Sequence, residues 1–275
     1  MSAPAVVRTG VGVRNVQLFA LNSTGSPNAS STSFYAGVQL EGAKVMTIND
    51  PEPRQITHTG DDNVLQLDQL PATEAMTGEI TVAKTNDSVD ALLTGKTSFT
   101  VGEAKLLAIG NSNLAGSEVQ VGMMIYRQAL DASGGSSDGA RRWEFRIFPK
   151  CFLYPRENTW NDSPQERSYT LRPQIVAAHL WETAFASGTE GVSRTQGFRG
   201  ISQYKPKIVS ALGDNSTTVF SFPTGFAAAD TAKIVVWVSG VLKTLTTHYT
   251  VTTSAITFVS APASGARIVV FYETN

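Results

Sequence analysis

The chain has little cysteine, little charge and no long apolar run. Its 275 residues include one cysteine, Cys151, which excludes an intrachain disulfide and predicts a reduced, buried thiol. Charged residues make up only 16%, against about 25% in an average soluble domain. No apolar run reaches the ~18 residues of a membrane span, and the first residues show no signal-peptide pattern. A formal net charge of −1 gives no global basic field for tight nucleic-acid binding.

Motifs for catalysis, cofactors and metals are also missing. Residues 94–97, Thr-Gly-Lys-Thr, match the last part of a phosphate-binding loop. That loop also needs a glycine five residues before Gly95, and this position is occupied by Asp90. His58, His179 and His248 lie far apart, with no carboxylate or cysteine at ligand spacing. We therefore expect no catalytic residue, no metal site and no cofactor.

Residues 118–155 form two period-2 segments around a glycine-serine tip, which predicts a long β-hairpin. The odd positions of both segments are apolar: Val119, Val121, Met123 and Ile125, then Trp143, Phe145, Ile147, Cys151 and Leu153. We expect this odd face to close the core of its own domain. Polar residues at even positions are then candidates for a lumen or intersubunit face: Glu118, Gln120, Gln128, Glu144 and Arg146.

Shorter patterns predict the other elements. Strands are expected at residues 11–21, 35–49 with a bend at Gly42, 64–70, 77–85 and 167–172. Asn86 or Asp87 can cap a short helix over residues 86–93, which Gly95 ends. Residues 22–33, 99–117, 158–164 and 188–200 are expected to be irregular. Residues 174–185 fit helix or strand, with strand favoured.

Residues 50–62 are predicted to form a long acidic loop. A loop of this length in a compact domain is usually functional or disordered. It is either a solvated surface loop or an assembly segment that reaches onto the next subunit. Its charged residues are Asp50, Glu52, Arg54, Asp61 and Asp62.

The pattern of the sequence changes near residue 203, from long segments to short ones separated by turn residues. Short strands separated by turns are expected at 208–211, 217–222, 232–238, 249–252, 255–258 and 267–272, a spacing typical of a small all-β sandwich. We therefore predict a mainly β fold in two domains, residues 1–203 and 204–275.

Two parts of the chain resemble bacteriophage tail proteins. The C-terminal part resembles small Ig-like modules of phage tail and fibre proteins through the segments LGDNSTTVFSF (212–222), VVWVSGVL (235–242), HYTV (248–251) and ITF (256–258), followed by Ala261, Pro262 and Gly265. Residues 1–200 resemble, more loosely, the major tail (tail tube) protein of long-tailed phages. That similarity lies in the long strand pair, the single short helix and the loop at residues 50–62.

The resemblance implies a tail-tube-type β-sandwich/barrel domain with one short helix, plus an external Ig-like β-sandwich. It implies a structural virion protein rather than an enzyme, which polymerises as stacked, hexameric rings into the tube for DNA ejection. The loop at residues 50–62 would then bridge rings.

The implied partners are further copies of the chain and the tape measure, tail terminator and baseplate proteins. Double-stranded DNA passes without specific binding, and no membrane is involved. The location is the virion tail, after assembly in the host cytoplasm. One alternative is a baseplate, fibre or head-decoration protein that binds the host surface. Another is a hydrolase with Glu144, Glu157 and Asp162 as its carboxylates.

Overall fold

The fold is mainly β and built from antiparallel sheets, which confirms the predicted fold class. The computed structural model describes residues 8–30, 33–40, 42–49, 54–60, 63–70, 76–83, 87–94, 98–107, 119–131, 142–155, 166–177, 181, 194–202, 205–225 and 227–274. Within these ranges one α-helix occurs, α1 (Asp87–Thr94), as predicted from its cap, and no helix is long and apolar enough to cross a membrane.

The strands of the N-terminal part are β1 (Arg8–Ala20), β2 (Val38–Leu40), β3 (Ala43–Asn49), β4 (Arg54–Gly60), β5 (Asn63–Leu70), β6 (Thr77–Val82), β7 (Ser98–Val101), β8 (Ala104–Leu107), β9 (Gln120–Asp131), β10 (Arg142–Pro155), β11 (Arg167–Pro173), β12 (Val176–Ala177), β13 (Arg194–Thr195) and β14 (Phe198–Ser202). The C-terminal strands are β15 (Lys205–Leu212), β16 (Val219–Ser221), β17 (Val235–Val238), β18 (Val241–Lys243), β19 (Tyr249–Val251), β20 (Ala255–Phe258) and β21 (Arg267–Thr274).

An eight-stranded sheet organises the N-terminal part. Its order is β2-β1-β9-β10-β11-β6-β3, and β14 also pairs with β10. Gly42, with φ of 74°, bends the chain between β2 and β3, as the sequence predicts. Since β2 pairs with β1 while β3 pairs with β6, this one bent segment joins opposite ends of the sheet. The sheet therefore curls around a core on its inner face.

The inner core is lined by strands from the whole curl and by α1. Its fully buried side chains include Val16, Leu18, Ile80, Val89, Val121, Met123, Cys151 and Leu171. On the outer face of β1, β9 and β10, a second cluster includes Phe19, Met124, Phe145 and Ile147 together with Ile208 and Val269 from the C-terminal strands. The centre of the sheet is thus buried on both faces, which explains why all residues from 121 to 126 are buried.

The C-terminal strands form two facing sheets, in the orders β15-β21-β17-β18 and β16-β20-β19. Their shared core includes Val209, Phe220, Val236, Ile256 and Val270. This arrangement agrees with the small all-β sandwich predicted from the strand spacing.

Three segments expected to be irregular contain strands. Residues 54–60 of the predicted loop form β4, which pairs with β5. Strands β7 and β8 lie within residues 98–107, and β14, which begins within residues 188–200, pairs with β10. Strand β7 alternates over only four residues and the others lack strict alternation, so cross-strand pairing rather than a strong local pattern stabilises them. Residues 158–164 and most of 174–185 lie outside the described residues.

Candidate functional site

The predicted polar face of the long hairpin is divided between the two faces of the sheet. Pairing of β9 with β10 places Glu144 opposite Arg127 and Trp143 opposite Gln128. Even positions of one strand therefore lie beside odd positions of the other. Glu144 and Arg146 share the face of Arg127, while Gln128 lies on the opposite face, so the expectation of one common face is wrong.

The apolar positions of β10 are divided as well. Phe145 and Ile147 lie in the outer cluster, whereas Cys151 and Leu153 lie in the inner core. A β-bulge after Phe148 shifts the register by one residue and so reverses the faces. The odd-face prediction is correct for β9 and for the second half of β10, and wrong for its first half.

The remaining predicted members of the polar face are Gln120 and Glu118. Gln120 is half-buried and lies opposite Phe152, beyond the bulge. Glu118 lies outside the described residues.

Glu144 is a buried carboxylate held between two arginines. Its side chain is only 7% exposed. Arg127 donates from Nε to Oε2 at 2.8 Å, and the Arg127 NH2–Oε2 distance is 2.7 Å. Arg199 Nε lies 2.7 Å from Oε1, an ion pair whose angles fall short of a directed hydrogen bond. Because a buried carboxylate is costly unless it is paired, the two arginines account for its burial.

A cavity of about 280 Å³ opens beside this ion-pair cluster, and we call it the basic cavity. It lies between β3 and the strands β1, β9 and β10. Its lining residues are Val13, Lys44, Val45, Met46, Ile48, Ile125, Tyr126, Arg127, Glu144 and Arg146. Three cations and one carboxylate give the lining a formal charge of +2, above an apolar floor.

The cations of the basic cavity differ in their partners. Lys44 forms an ion pair with Glu166, and Arg127 is engaged by Glu144. Arg146 is half-buried and, within the described part of the chain, has no hydrogen bond or ion pair. It pairs across strands with Arg199, so two like charges occupy directly opposed positions. Sequence patterns do not reveal this arrangement, because Arg199 lies in a segment expected to be irregular.

The segment predicted as an acidic loop contains instead one strand of the β4–β5 hairpin. Asn49 at the end of β3 is the register partner of Thr77 at the start of β6, so the hairpin is inserted at the tip of the β3–β6 pair. Among the described strands, β4 and β5 pair only with each other. Arg54 begins β4. Four predicted contact residues lie outside the described ranges: Asp50, Glu52, Asp61 and Asp62.

A strap from the N-terminal part, which comprises the described residues 27–30 and 33–36, lies along the C-terminal sandwich. Phe34 and Ala36 are buried in the C-terminal core, and Phe34 stacks on Phe222 with ring centroids 5.5 Å apart. Arg267 donates from NH1 to Pro27 O at 2.6 Å. The residues predicted to form a polar loop, 22–33, therefore lead directly into a contact between the two ends of the chain.

A second cavity, of about 470 Å³, lies in the C-terminal sandwich. Val241 and Val259 line it and are 57% and 66% exposed, and Leu242 beside them is 56% exposed. Its ionisable lining residues are Lys243 and His248. The lining is mostly apolar. It belongs to the C-terminal strands, whereas the basic cavity belongs to the N-terminal part.

Metal-ligating side chains do not cluster in the part of the chain that the structure describes. No group of three His, Cys, Asp or Glu side chains is close enough to bind a metal within those ranges. Cys151 donates from Sγ to Val121 O at 3.3 Å, and burial raises the pKa of its thiol far above the ordinary value. Glu144 is engaged by arginines, and the other carboxylates of the hydrolase alternative, Glu157 and Asp162, lie outside the described residues.

Neither a scan against protein-family models nor a search of the curated proteins finds a match to this chain.

Proposed function

We propose that this chain is a structural subunit that polymerises with copies of itself. Following its resemblance to phage tail proteins, we propose that the polymer is the tail tube of a long-tailed phage. In this proposal, hexameric rings stack into a conduit for the genome, and the C-terminal sandwich lies outside. Duplex DNA passes without specific binding, in keeping with the formal net charge of −1.

The β4–β5 hairpin is the observation that carries the proposal. A two-stranded hairpin by itself is marginally stable in water at best. Unpaired strand edges are also templates for pairing with another chain. The hairpin is inserted where β3 and β6 need only a short turn, so the curled sheet does not require it. A neighbouring subunit supplies the missing surface, and a heterologous contact of this kind, repeated, builds rings and filaments.

The test is negative-stain electron microscopy of the purified chain over a range of protein and salt concentrations. We expect rings or tubes with a constant number of subunits per ring. A chain that stays monomeric at every concentration and salt overturns the proposal.

A matched variant separates assembly from folding. Residues 50–76 are replaced by Asn-Gly, a dipeptide suited to a two-residue turn, which keeps the Asn49–Thr77 pair. We expect circular dichroism typical of β structure and a cooperative thermal transition, with no tubes. Tubes of normal length from this variant would remove the hairpin from the assembly mechanism.

A second candidate function is host-surface binding by the C-terminal sandwich. The observation in its favour is the exposed apolar set Val241, Leu242 and Val259 beside the second cavity. Changing Val241 and Val259 to Ser tests it without disturbing the strap. Intact particles that no longer adsorb to host cells would favour binding, and unchanged adsorption would reject it.

A further inference from the structure

We propose that the basic cavity is the docking site for the β4–β5 hairpin of a second copy of this chain. This inference rests on the proposed self-assembly and names the two surfaces that meet. The occupant is the inserted segment, residues 50–75. The receiving site is the lining of the cavity around Arg146.

Charge complementarity identifies the occupant. Residues 50–75 contain six acidic residues and one basic residue, a formal charge of −5, while the whole chain is −1. The rest of the chain, with 21 basic and 17 acidic residues, is therefore +4. The acidic residues of the segment are Asp50, Glu52, Asp61, Asp62, Asp68 and Glu74.

The hairpin register concentrates charge between its strands. Gly60 of β4 pairs with Asn63 of β5, and only Asp61 and Asp62 separate them in the sequence. The connection between the strands thus carries two consecutive carboxylates. Charged surfaces of opposite sign steer association and fix the register of a contact.

Arg146 supplies the matching feature of the cavity. It is half-buried, without a partner among the described residues, and directly opposed to Arg199. Arginine binds carboxylates through two parallel donors. A carboxylate beside Arg146 relieves the like-charge pairing across β10 and β14.

The floor of the cavity suits the apolar part of the same segment. Val45 is 56% exposed although it lies in a strand of the curled sheet, and Val13, Met46 and Ile48 lie beside it. The segment brings its own apolar residues, among them Ile56, Val64, Leu65 and Leu67. A hairpin docked here covers an exposed apolar strand and neutralises a basic rim in one contact.

Charge reversal and rescue test the inference in the full-length chain. Arg146→Glu, the double change Asp61→Lys/Asp62→Lys, and the combined triple variant are compared by analytical ultracentrifugation and electron microscopy. We expect each reversal to raise the concentration needed for assembly at least about tenfold. The triple variant should return to within about threefold of the unmodified chain, since the coupled charges are again opposite. Assembly of the unmodified chain should also weaken as salt rises.

Two controls separate docking from folding and from general charge. Arg172→Glu makes the same charge change at an exposed position of β11, where the arginine lies over the ring of Tyr154, and should leave assembly unchanged. Arg146→Gln keeps most of the side-chain packing without the charge and should weaken assembly. Thermal unfolding of each variant shows whether its fold is retained.

Each outcome decides between the two proposals. If the unmodified chain never associates, both the proposed function and this docking fail. If it assembles and Arg146→Glu assembles equally well, or if the triple variant is not rescued, only the docking fails. If Arg146→Glu lowers thermal stability while assembly is unchanged, Arg146 acts within the fold of the single chain and the inference is overturned.

Discussion

Tyr35 and Ser210 exchange two backbone hydrogen bonds, from Tyr35 N to Ser210 O at 2.7 Å and from Ser210 N to Tyr35 O at 3.0 Å. Gln17 reinforces this junction by donating from Nε2 to Ile208 O at 2.9 Å, from a fully buried position. The strap therefore joins β1 to β15 through backbone as well as side-chain contacts. Because the strap enters the C-terminal core, removing residues 204–275 would expose Phe34 and Ala36.

Replacing Phe34 with Ala is expected to destabilise the chain. Phe34 is 4% exposed and packs on the rings of Phe220 and Phe222. Loss of the ring should lower the free energy of unfolding by about 3–5 kcal/mol. Urea denaturation measures this, with Phe34→Leu as a control expected to cost less than about 1.5 kcal/mol. A cost for Ala as small as that for Leu would show that the strap contributes little to the core.

Replacing Gly37 with Ala should be more costly than the same change at Gly225. Both have positive φ, 68° and 80°, so each pays about 1–2 kcal/mol for the left-handed conformation. A Cβ on Gly37 would lie 2.1 Å from Leu18 O, whereas one on Gly225 would meet nothing within 4 Å. Because the clashing atom belongs to the backbone, the steric clash at position 37 can be removed only by displacing the backbone of β1. Equal melting temperatures of the two variants would contradict this close approach.

Gly200 and Phe145 are expected to be energetically coupled. A Cβ on Gly200 would lie 2.3 Å from Cζ of Phe145, whose ring also contacts Phe271 at 5.5 Å between centroids. Gly200→Ala should cost about 1–3 kcal/mol through overpacking. In a double-mutant cycle with Phe145→Leu, the combined loss should be smaller than the sum of the single losses. Strict additivity would mean that the ring moves aside without cost.

The stability of the chain should rise with pH above about pH 8 through Lys207. Two effects lower the pKa of Lys207 to about 8: burial is the larger, and repulsion from Lys205 is the smaller. The folded chain therefore releases this proton near pH 8, while the unfolded chain holds it until its higher ordinary pKa. Since the unfolded state binds more protons in this interval, the contribution to stability rises by at most about 1.4 kcal/mol per pH unit.

Lys207→Met supplies the comparison for this pH effect. The difference in unfolding free energy between the unmodified chain and Lys207→Met, measured by urea denaturation from pH 7 to pH 10, isolates this group from other titrating residues. We expect the unmodified chain to gain stability relative to the variant as pH rises. A difference that stays constant with pH would contradict a buried, weakly basic Lys207.

Much of the secondary structure follows from local pattern. The caps and apolar stripe of residues 86–93 predicted α1, and alternation predicted the β9–β10 hairpin. Gly42 marked the bend between β2 and β3 because glycine adopts positive φ without a Cβ clash. The β4, β7 and β14 strands were not predicted. Strand β14 pairs with β10, far away in the sequence, whereas β4 and β7 pair with the next strands, β5 and β8, but lie in segments too short or too irregular in pattern to indicate a strand.

The candidate site was only partly predictable. Glu144 and Arg146 were singled out, but their face was assigned by parity within one strand. The face is set by the register between two strands, which here pairs even with odd positions and changes at a bulge. The two arginines that pair with Glu144, Arg127 and Arg199, were not predicted, because they lie on separate strands that only the sheet brings together.

The sequence by itself determined that this chain is mainly β, that residues 118–155 contain two long paired strands, and that residues 50–62 are rich in acidic side chains. Those properties depend on side-chain alternation, turn residues and charge, which are local. Only the tertiary structure decided that the hairpin is buried on both faces, that the strap enters the C-terminal core, and that Glu144 lies between two arginines. These depend on strand register and long-range packing, which no local pattern specifies.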